Sequence, residues 1–155
     1  MFDADVASRR MNDSIKGLAF SGIGRFGLTM ILEFGNRVPL ATRFVESEPT
    51  AGKYALHVQC PARICQGGRI VLGSGDLEPG KAEMRYDTGA SVVDRFAERL
   101  QPKVQAVTVG ICGDLRIAIE HDIFIEILPV SSRDEEQWRF LHRNREHYIF
   151  PDGEG

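Results

Sequence analysis

The chain has 155 residues, of which 43% are hydrophobic and 26% are charged. This is the composition of one ordinary globular domain and excludes global disorder. The formal net charge of -3 argues against broad electrostatic binding to nucleic acid or to an anionic membrane. Residues 1–14 contain no apolar signal segment, and no apolar run has the length of a membrane span. Three cysteines, an odd number, favour free thiols and a cytoplasmic protein. No cofactor is predicted.

The first predicted element is a short N-terminal helix. Phe2 and Val6 are four residues apart, acidic residues come early and arginines come late, which suits the helix dipole. The polar residues 12–14 are expected to end this helix. Residues 35–50 contain Gly35, Asn36, Pro39 and Pro49, and we predict that they are mostly connection.

Strands are predicted next. Residues 54–60 alternate between apolar and polar positions, which is typical of a half-buried strand. Gly67-Gly68 precedes a run of β-forming residues and predicts a hairpin. Residues 77–90 combine charges with proline and glycine, and a mobile loop is expected there.

A second helix is predicted over residues 91–100. Ser91 lies three residues before Asp94, close to the spacing of a capping box, and apolar residues follow at helical intervals. Pro102 is expected to end this helix.

The remainder of the chain predicts more strands. Residues 115–128 alternate on both sides of His121-Asp122, which indicates a hairpin with a tight turn. Three further segments are rich in β-forming residues: 104–112, 138–142 and 147–150. The predicted fold is therefore α+β, mainly antiparallel β, with one helix packed on the sheets.

A weak internal repeat is also present. Residues 28–33 resemble residues 115–120, and Ala62-Arg63-Ile64 resembles Trp138-Arg139-Phe140. We predict one domain over residues 1–155, made of two related β units. Their bounds would be 14–76 and 104–153, joined by a loop and helix over 77–103.

Residues 22–27 spell G-x-G-x-x-G, a motif that binds dinucleotides when it lies between a buried strand and a helix. Glu46 and Glu48 lie about where a ribose-binding acid is expected. However, residues 28–34 alternate as a strand, so a glycine-rich turn between two antiparallel strands is the favoured interpretation.

The histidines and cysteines suggest a metal site as another interpretation. Cys60, Cys65, His142 and His147 have spacings near those of zinc ligands, with His57 close by. Cys60 shares the apolar face of its predicted strand, where a free cysteine is usually a small core residue. No metal site, and no set of catalytic residues, is predicted.

Arg63 and Arg139 are the most unusual residues, because each stands at a predicted strand beside apolar neighbours. They could bond to loop carbonyls or pair with Asp76 or Asp114. Alternatively, they could line a binding groove, and Trp138, Arg139 and Tyr148 have the composition of an interface. The candidate binding residues are therefore Arg63, Asp76, Trp138, Arg139 and Tyr148.

Several segments resemble a group of small bacterial proteins without an established activity. They are YALHVQCPARI, GGRIVLGSGDL, and a tail with GDLRI and EQWRF. Members of that group usually have tryptophan where this chain has Ala62. The group's size and strand pattern are similar to those of immunity-type proteins that neutralise toxins, by analogy alone.

Two functions follow as hypotheses. The first is a non-enzymatic cytoplasmic binding protein that acts through a protein or small-ligand surface. The second is a small-molecule or nucleotide-binding enzyme that uses residues 22–27. Exposed edge strands would also permit a homodimer.

Overall fold

The computed structural model describes residues 1–40, 50–77, 84–143 and 145–154. These residues form an α+β fold, mainly antiparallel β, as predicted. The helices are α1 (Ala4–Ile15) and α2 (Arg85–Leu100). The strands are β1 (Phe20–Phe26), β2 (Thr29–Pro39), β3 (Thr50–Val58), β4 (Ala62–Gln66), β5 (Arg69–Gly73), β6 (Val104–Val109), β7 (Leu115–Ile119), β8 (Ile123–Ile127), β9 (Trp138–His142), β10 (His147–Phe150) and β11 (Gly153–Glu154).

Each of the two sheets combines strands from both halves of the chain. The larger sheet has the order β1-β2-β3-β9-β10-β11, and the smaller has the order β5-β4-β8-β7-β6. Apart from β11, each sheet is a three-stranded meander from one half that is extended by a hairpin from the other. The halves therefore exchange hairpins instead of forming self-contained units.

The two sheets also have equivalent strand registers. The row Met30–Val58–Trp138 crosses the larger sheet, and the row Leu115–Ile127–Ala62 crosses the smaller one. Ala62 and Trp138, which the sequence comparison had paired, thus begin the exchanged hairpins at equivalent places. The internal repeat itself stays a prediction.

Both predicted tight hairpins are confirmed. His121 and Asp122 have φ angles of 65° and 58°, and Gly67 and Gly68 have φ angles of 56° and 79°. Positive φ at both central positions defines the turn whose twist matches antiparallel strands. Asp122 takes up this conformation because short polar side chains tolerate it better than branched ones.

The predicted end of the first helix is wrong, since α1 continues to Ile15. Asn12 lies inside the helix, where its side-chain amide donates to the carbonyl of Val107 at 2.8 Å. Its amide oxygen accepts from the N–H of Val107 at 2.9 Å. Asn12 therefore pairs with the backbone N–H and C=O groups of Val107 at the open edge of β6, and this tertiary contact outweighs the weak helix propensity of asparagine.

The second helix begins earlier than predicted, at Arg85, so the expected loop is wrong over residues 85–90, while 78–83 lie outside the described residues. Gly89 lies within the helix, where a Cβ atom would come within 2.6 Å of Leu72 Cδ1. The missing side chain lets α2 approach β5 closely here, so this glycine does not mark a loop. Ser91 is not a cap, because its hydroxyl donates to the carbonyl of Asp87 at 3.0 Å inside the helix.

The strand predictions also differ at their ends. Residues 35–39 continue β2 past an irregularity between Phe34 and Arg37, and are not connection. Residues 41–49 lie outside the described residues. In the second half, β6 ends at Val109, and residues 110–113 form a turn.

The core lies between the sheets, and each helix closes one edge of it. Helix α1 packs on β6 and buries Ala7, Met11 and Ile15. Helix α2 packs on β1 and β5. The buried residues of both sheets and both helices form one cluster, so the outer faces of the sheets remain for other roles.

Candidate functional site

Two of the predicted binding residues lie in the core. Trp138 is 0% exposed and Tyr148 is 4% exposed. The indole N–H of Trp138 donates to the carbonyl of Gly113 at 2.8 Å, and the hydroxyl of Tyr148 donates to the carbonyl of Asp3 at 3.2 Å. Their position gives them packing roles, so neither ring lies on a surface that a partner could contact.

Arg63 and Asp76 lie beside the smaller sheet. Arg63 is exposed on its outer face, where Nη2 lies 3.5 Å from Glu126 Oε2 on the neighbouring strand. Asp76 accepts a hydrogen bond from the N–H of Gly73 at 3.0 Å and so supports the turn after β5. The ion-pair partner of Arg63 is thus Glu126, and not either of the aspartates considered from the sequence.

Arg139 lies on the outer face of the larger sheet and is held from two sides. Its Nε and Nη2 atoms donate to Glu136 Oε1 at 2.9 and 2.6 Å. Its Nη1 atom lies 2.7 Å from His147 Nδ1, and since a guanidinium only donates, that nitrogen must accept. Gln59 donates to the other carboxylate oxygen of Glu136 at 2.8 Å. The guanidinium is therefore oriented before any ligand arrives.

A second charged network lies on the same face. Glu33 accepts from Arg37 Nη1 at 3.1 Å and lies 3.6 Å from Arg143 Nη2. Arg143 also donates from Nε to the carbonyl of Gly52 at 3.3 Å. The side chains of Glu33 and Arg143 are each 14% exposed, so this pair is shielded from solvent far more than an ordinary surface ion pair.

The strand register brings the two networks together. His57 on β3 is paired with Ile31 on one side and with Arg139 on the other. The main helix contacts of the described residues are those of α1 with β6 and of α2 with β1 and β5. We call these outward residues the charged face: Glu33, Arg37, His57, Glu136, Arg139, Arg143 and His147.

The charged face has an excess of positive charge. Burial lowers the pKa of His57, and Arg143 and Arg139 lower it further. Burial and then Arg139 also lower the pKa of His147. Both imidazoles are consequently neutral near pH 7, where three guanidinium groups face two carboxylates. The local balance is opposite in sign to the net charge of the chain, which is -3.

The arginines of this face keep donors for a ligand. A guanidinium has five N–H groups, and the hydrogen bonds within the described residues use only some of those on Arg139 and Arg143. His57 has no hydrogen-bond partner among the described residues. This arrangement suits a carboxylate or another oxyanion, which accepts from guanidinium groups in pairs.

The sequence pointed to Arg139 but not to Arg143, and it did not predict His57 as a binding residue. The alternation of residues 54–60 had placed His57 opposite the apolar face. What the sequence could not show is that β3 pairs with β9, which puts His57 beside Arg139.

The glycine motif does not form a phosphate-binding loop. Residues 22–26 belong to β1, and Gly27, with a φ of 59°, lies in the turn to β2. A strand follows where a dinucleotide site needs a helix. The prediction of two antiparallel strands joined here is confirmed, but the predicted turn over residues 22–27 is wrong in its extent, because residues 22–26 pair with β2 and only Gly27 lies in the turn.

The residues considered as zinc ligands make separate contacts and do not form one site. Cys60 is buried in the core, while His147 bonds to Arg139 and His142 packs on Tyr54. Within the described ranges, no group of three or more histidine, cysteine, aspartate or glutamate side chains is placed to hold a metal ion.

The thiols of Cys60 and Cys112 should differ most in reactivity, since Cys65 is intermediate in exposure. Cys112 is exposed, whereas Cys60 is buried, and burial raises the pKa of the Cys60 thiol to about 11. Because the thiolate is the reactive form, we expect rapid labelling of Cys112 by a disulfide reagent at pH 8, and labelling of Cys60 only after unfolding. A Cys112→Ser variant should lose the fast phase. Rapid labelling of Cys60 in the folded variant would contradict its burial.

Neither described helix is long and apolar enough to cross a bilayer. Comparisons of the chain with protein-family models, with curated proteins and with solved structures gave no match. The resemblance suggested by the sequence segments accordingly stays a prediction.

Proposed function

We propose that this chain is a cytoplasmic, non-enzymatic binding protein, and that its charged face binds an acidic segment of a protein partner. The observation that supports this proposal most is the orientation of Arg139. Glu136 and His147 hold its guanidinium on an outer sheet face, while part of its donor set stays unused. Those donors are available to a carboxylate of a partner, which would replace water.

The neighbours of Arg139 strengthen the proposal. Arg143 and Arg139 both lower the pKa of His57, so both guanidinium groups contribute positive charge around this imidazole. Their side chains are 32% and 14% exposed, and this partial shielding makes a charge-assisted hydrogen bond stronger than in open water. Since the side chains are already held by hydrogen bonds, little rotamer entropy is lost on binding.

The test uses a fluorescently labelled, glutamate-rich peptide as the probe. The double variant Arg139→Gln/Arg143→Gln should bind it at least about tenfold more weakly than the unmodified chain, because a charge-assisted hydrogen bond is worth about 1.5–3 kcal/mol. Fluorescence anisotropy at several salt concentrations gives the affinity. Because Arg143 is largely buried, Arg139→Gln alone is measured as well, and circular dichroism confirms that each variant is folded.

The matched control is Arg63→Gln/Arg116→Gln. These two arginines flank Glu126 in one row on the outer face of the smaller sheet, so the control removes the same charge from an equivalent place. It should leave the affinity unchanged. An equal loss in both double variants, or equal binding of a lysine-rich peptide, would overturn the proposal.

A further inference from the structure

The charged face contains two imidazoles whose position keeps them neutral. His147 Nδ1 lies 2.7 Å from Arg139 Nη1, and because a guanidinium only donates, this nitrogen carries no proton. His57 is half-buried and pairs with Arg139 across β3 and β9. Protonation of either ring therefore places a second positive charge beside a guanidinium.

The surroundings of His57 contain charges of both signs. The charged and titratable groups on the same face are Glu33 and Arg37 from β2, Glu136, Arg139 and Arg143 from β9 and its flanks, and His147 from β10. Burial lowers the pKa of His57 most, Arg143 and Arg139 lower it further, and Glu136 raises it. The two guanidinium groups are thus the main charges that oppose its protonation.

The surroundings of His147 act in the same direction. Besides the charged face, it contacts a small cavity that is also lined by Arg10 and Asp13 of α1 and by His142 and Glu146. Arg10 lies 3.6 Å from Glu146. Burial and then Arg139 lower the pKa of His147, and Glu136 raises it. Arg139 therefore opposes protonation of both imidazoles.

A bound carboxylate reverses this balance. A carboxylate that accepts from Arg139 and Arg143 offsets their charge, and a negative charge within about 4–6 Å favours the protonated imidazole. At Arg139 the carboxylate can also replace His147 Nδ1 as the acceptor for Nη1. That nitrogen is then free to take up a proton and to donate to the same carboxylate.

We propose that the charged face takes up protons at His57 and His147 when it binds the acidic segment, so that acidification strengthens binding. This inference rests on the proposed function. The sign follows from linkage: because the complex holds these protons more tightly than the free chain does, the affinity rises as the pH falls. The rise is expected from about pH 6.5 downwards, where glutamate carboxylates, with an ordinary pKa of about 4.3, still carry their charge.

The test measures the affinity of the same glutamate-rich peptide by fluorescence anisotropy at pH 7.5 and at pH 5.5. Binding should be at least about fivefold tighter at pH 5.5, because one proton taken up in full changes the affinity tenfold per pH unit. Titration calorimetry at pH 6.5 in MES and in bis-tris, which differ in ionisation enthalpy, should show net proton uptake. Circular dichroism confirms that the chain is folded at each pH.

Histidine variants assign the protons. His57→Gln/His147→Gln should bind through the arginines without the rise in affinity at low pH and without proton uptake. Glutamine at position 147 can still accept from Arg139, so the orientation of the guanidinium is kept. His142→Gln is the matched control, because the pKa of His142 is also lowered by burial but its ring packs on Tyr54, outside the charged face. This variant should retain the full pH dependence.

The outcomes separate this inference from the proposed function. Peptide binding that does not change with pH, that weakens at pH 5.5, or that takes up as many protons in the double histidine variant contradicts proton coupling at these residues and leaves the proposed function intact. No peptide binding at either pH contradicts both.

Discussion

Replacing Trp138 by alanine is expected to lower the free energy of unfolding by about 3–5 kcal/mol, the usual cost of emptying a large aromatic site. The indole is 0% exposed and contacts the rings of Phe2, Tyr148 and Phe150, with centroids 6.0, 6.4 and 5.9 Å away. Because this is the only tryptophan of the chain, urea unfolding should be followed by far-ultraviolet circular dichroism.

Trp138→Phe tests the indole hydrogen bond separately from the packing. Phenylalanine retains much of the aromatic contact but leaves the carbonyl of Gly113 without its 2.8 Å donor, which should cost about 1–3 kcal/mol. A loss below about 1 kcal/mol for the alanine variant would contradict the burial of this ring. A full loss for alanine also means that Trp138 variants measure stability, and that Arg139 variants are the ones that measure binding.

Replacing Gly113 by alanine should also lower the free energy of unfolding strongly. Gly113 has a φ of +83°, and an added Cβ would overlap the ring of Phe150. The left-handed backbone costs roughly 1–2 kcal/mol for a residue with a side chain, and overpacking costs roughly 1–3 kcal/mol more. The same urea unfolding experiment measures the sum.

Gly27→Ala is the control for Gly113→Ala. Gly27 also has a positive φ, of +59°, but nothing lies within 4 Å of the position of its Cβ. It should show the backbone cost alone, so the difference between the two variants isolates the overlap with Phe150. Equal losses would show that the ring moves away without cost.

Local patterns predicted much of the secondary structure. Alternation and the residue pairs His121-Asp122 and Gly67-Gly68 were sufficient for both tight hairpins, because turn chemistry acts over a few residues. Prediction failed where a distant contact decided the outcome. Asn12 stays helical through its bonds to β6, and Gly89 lies in a helix where the missing side chain leaves room for Leu72 on β5.

The candidate sites also depend partly on local sequence and partly on distant contacts. Arg139 stood out in the sequence as a charged residue among apolar neighbours, whereas Arg143 did not. Its importance depends on Glu33, with which it forms a shielded pair although the two residues are far apart in the chain. Trp138 and Arg139 are adjacent in sequence, yet alternation along β9 places one in the core and the other on the charged face.

By itself, the sequence determined that the chain would be mainly antiparallel β, which residues would alternate between core and surface, and where the tight turns would form. These properties depend on the period of the side chains and on local backbone preferences. The tertiary structure alone decided that each half would donate a hairpin to the other sheet. That exchange brings His57 beside Arg139, because strand pairing depends on burial summed over the whole core and not on any one segment.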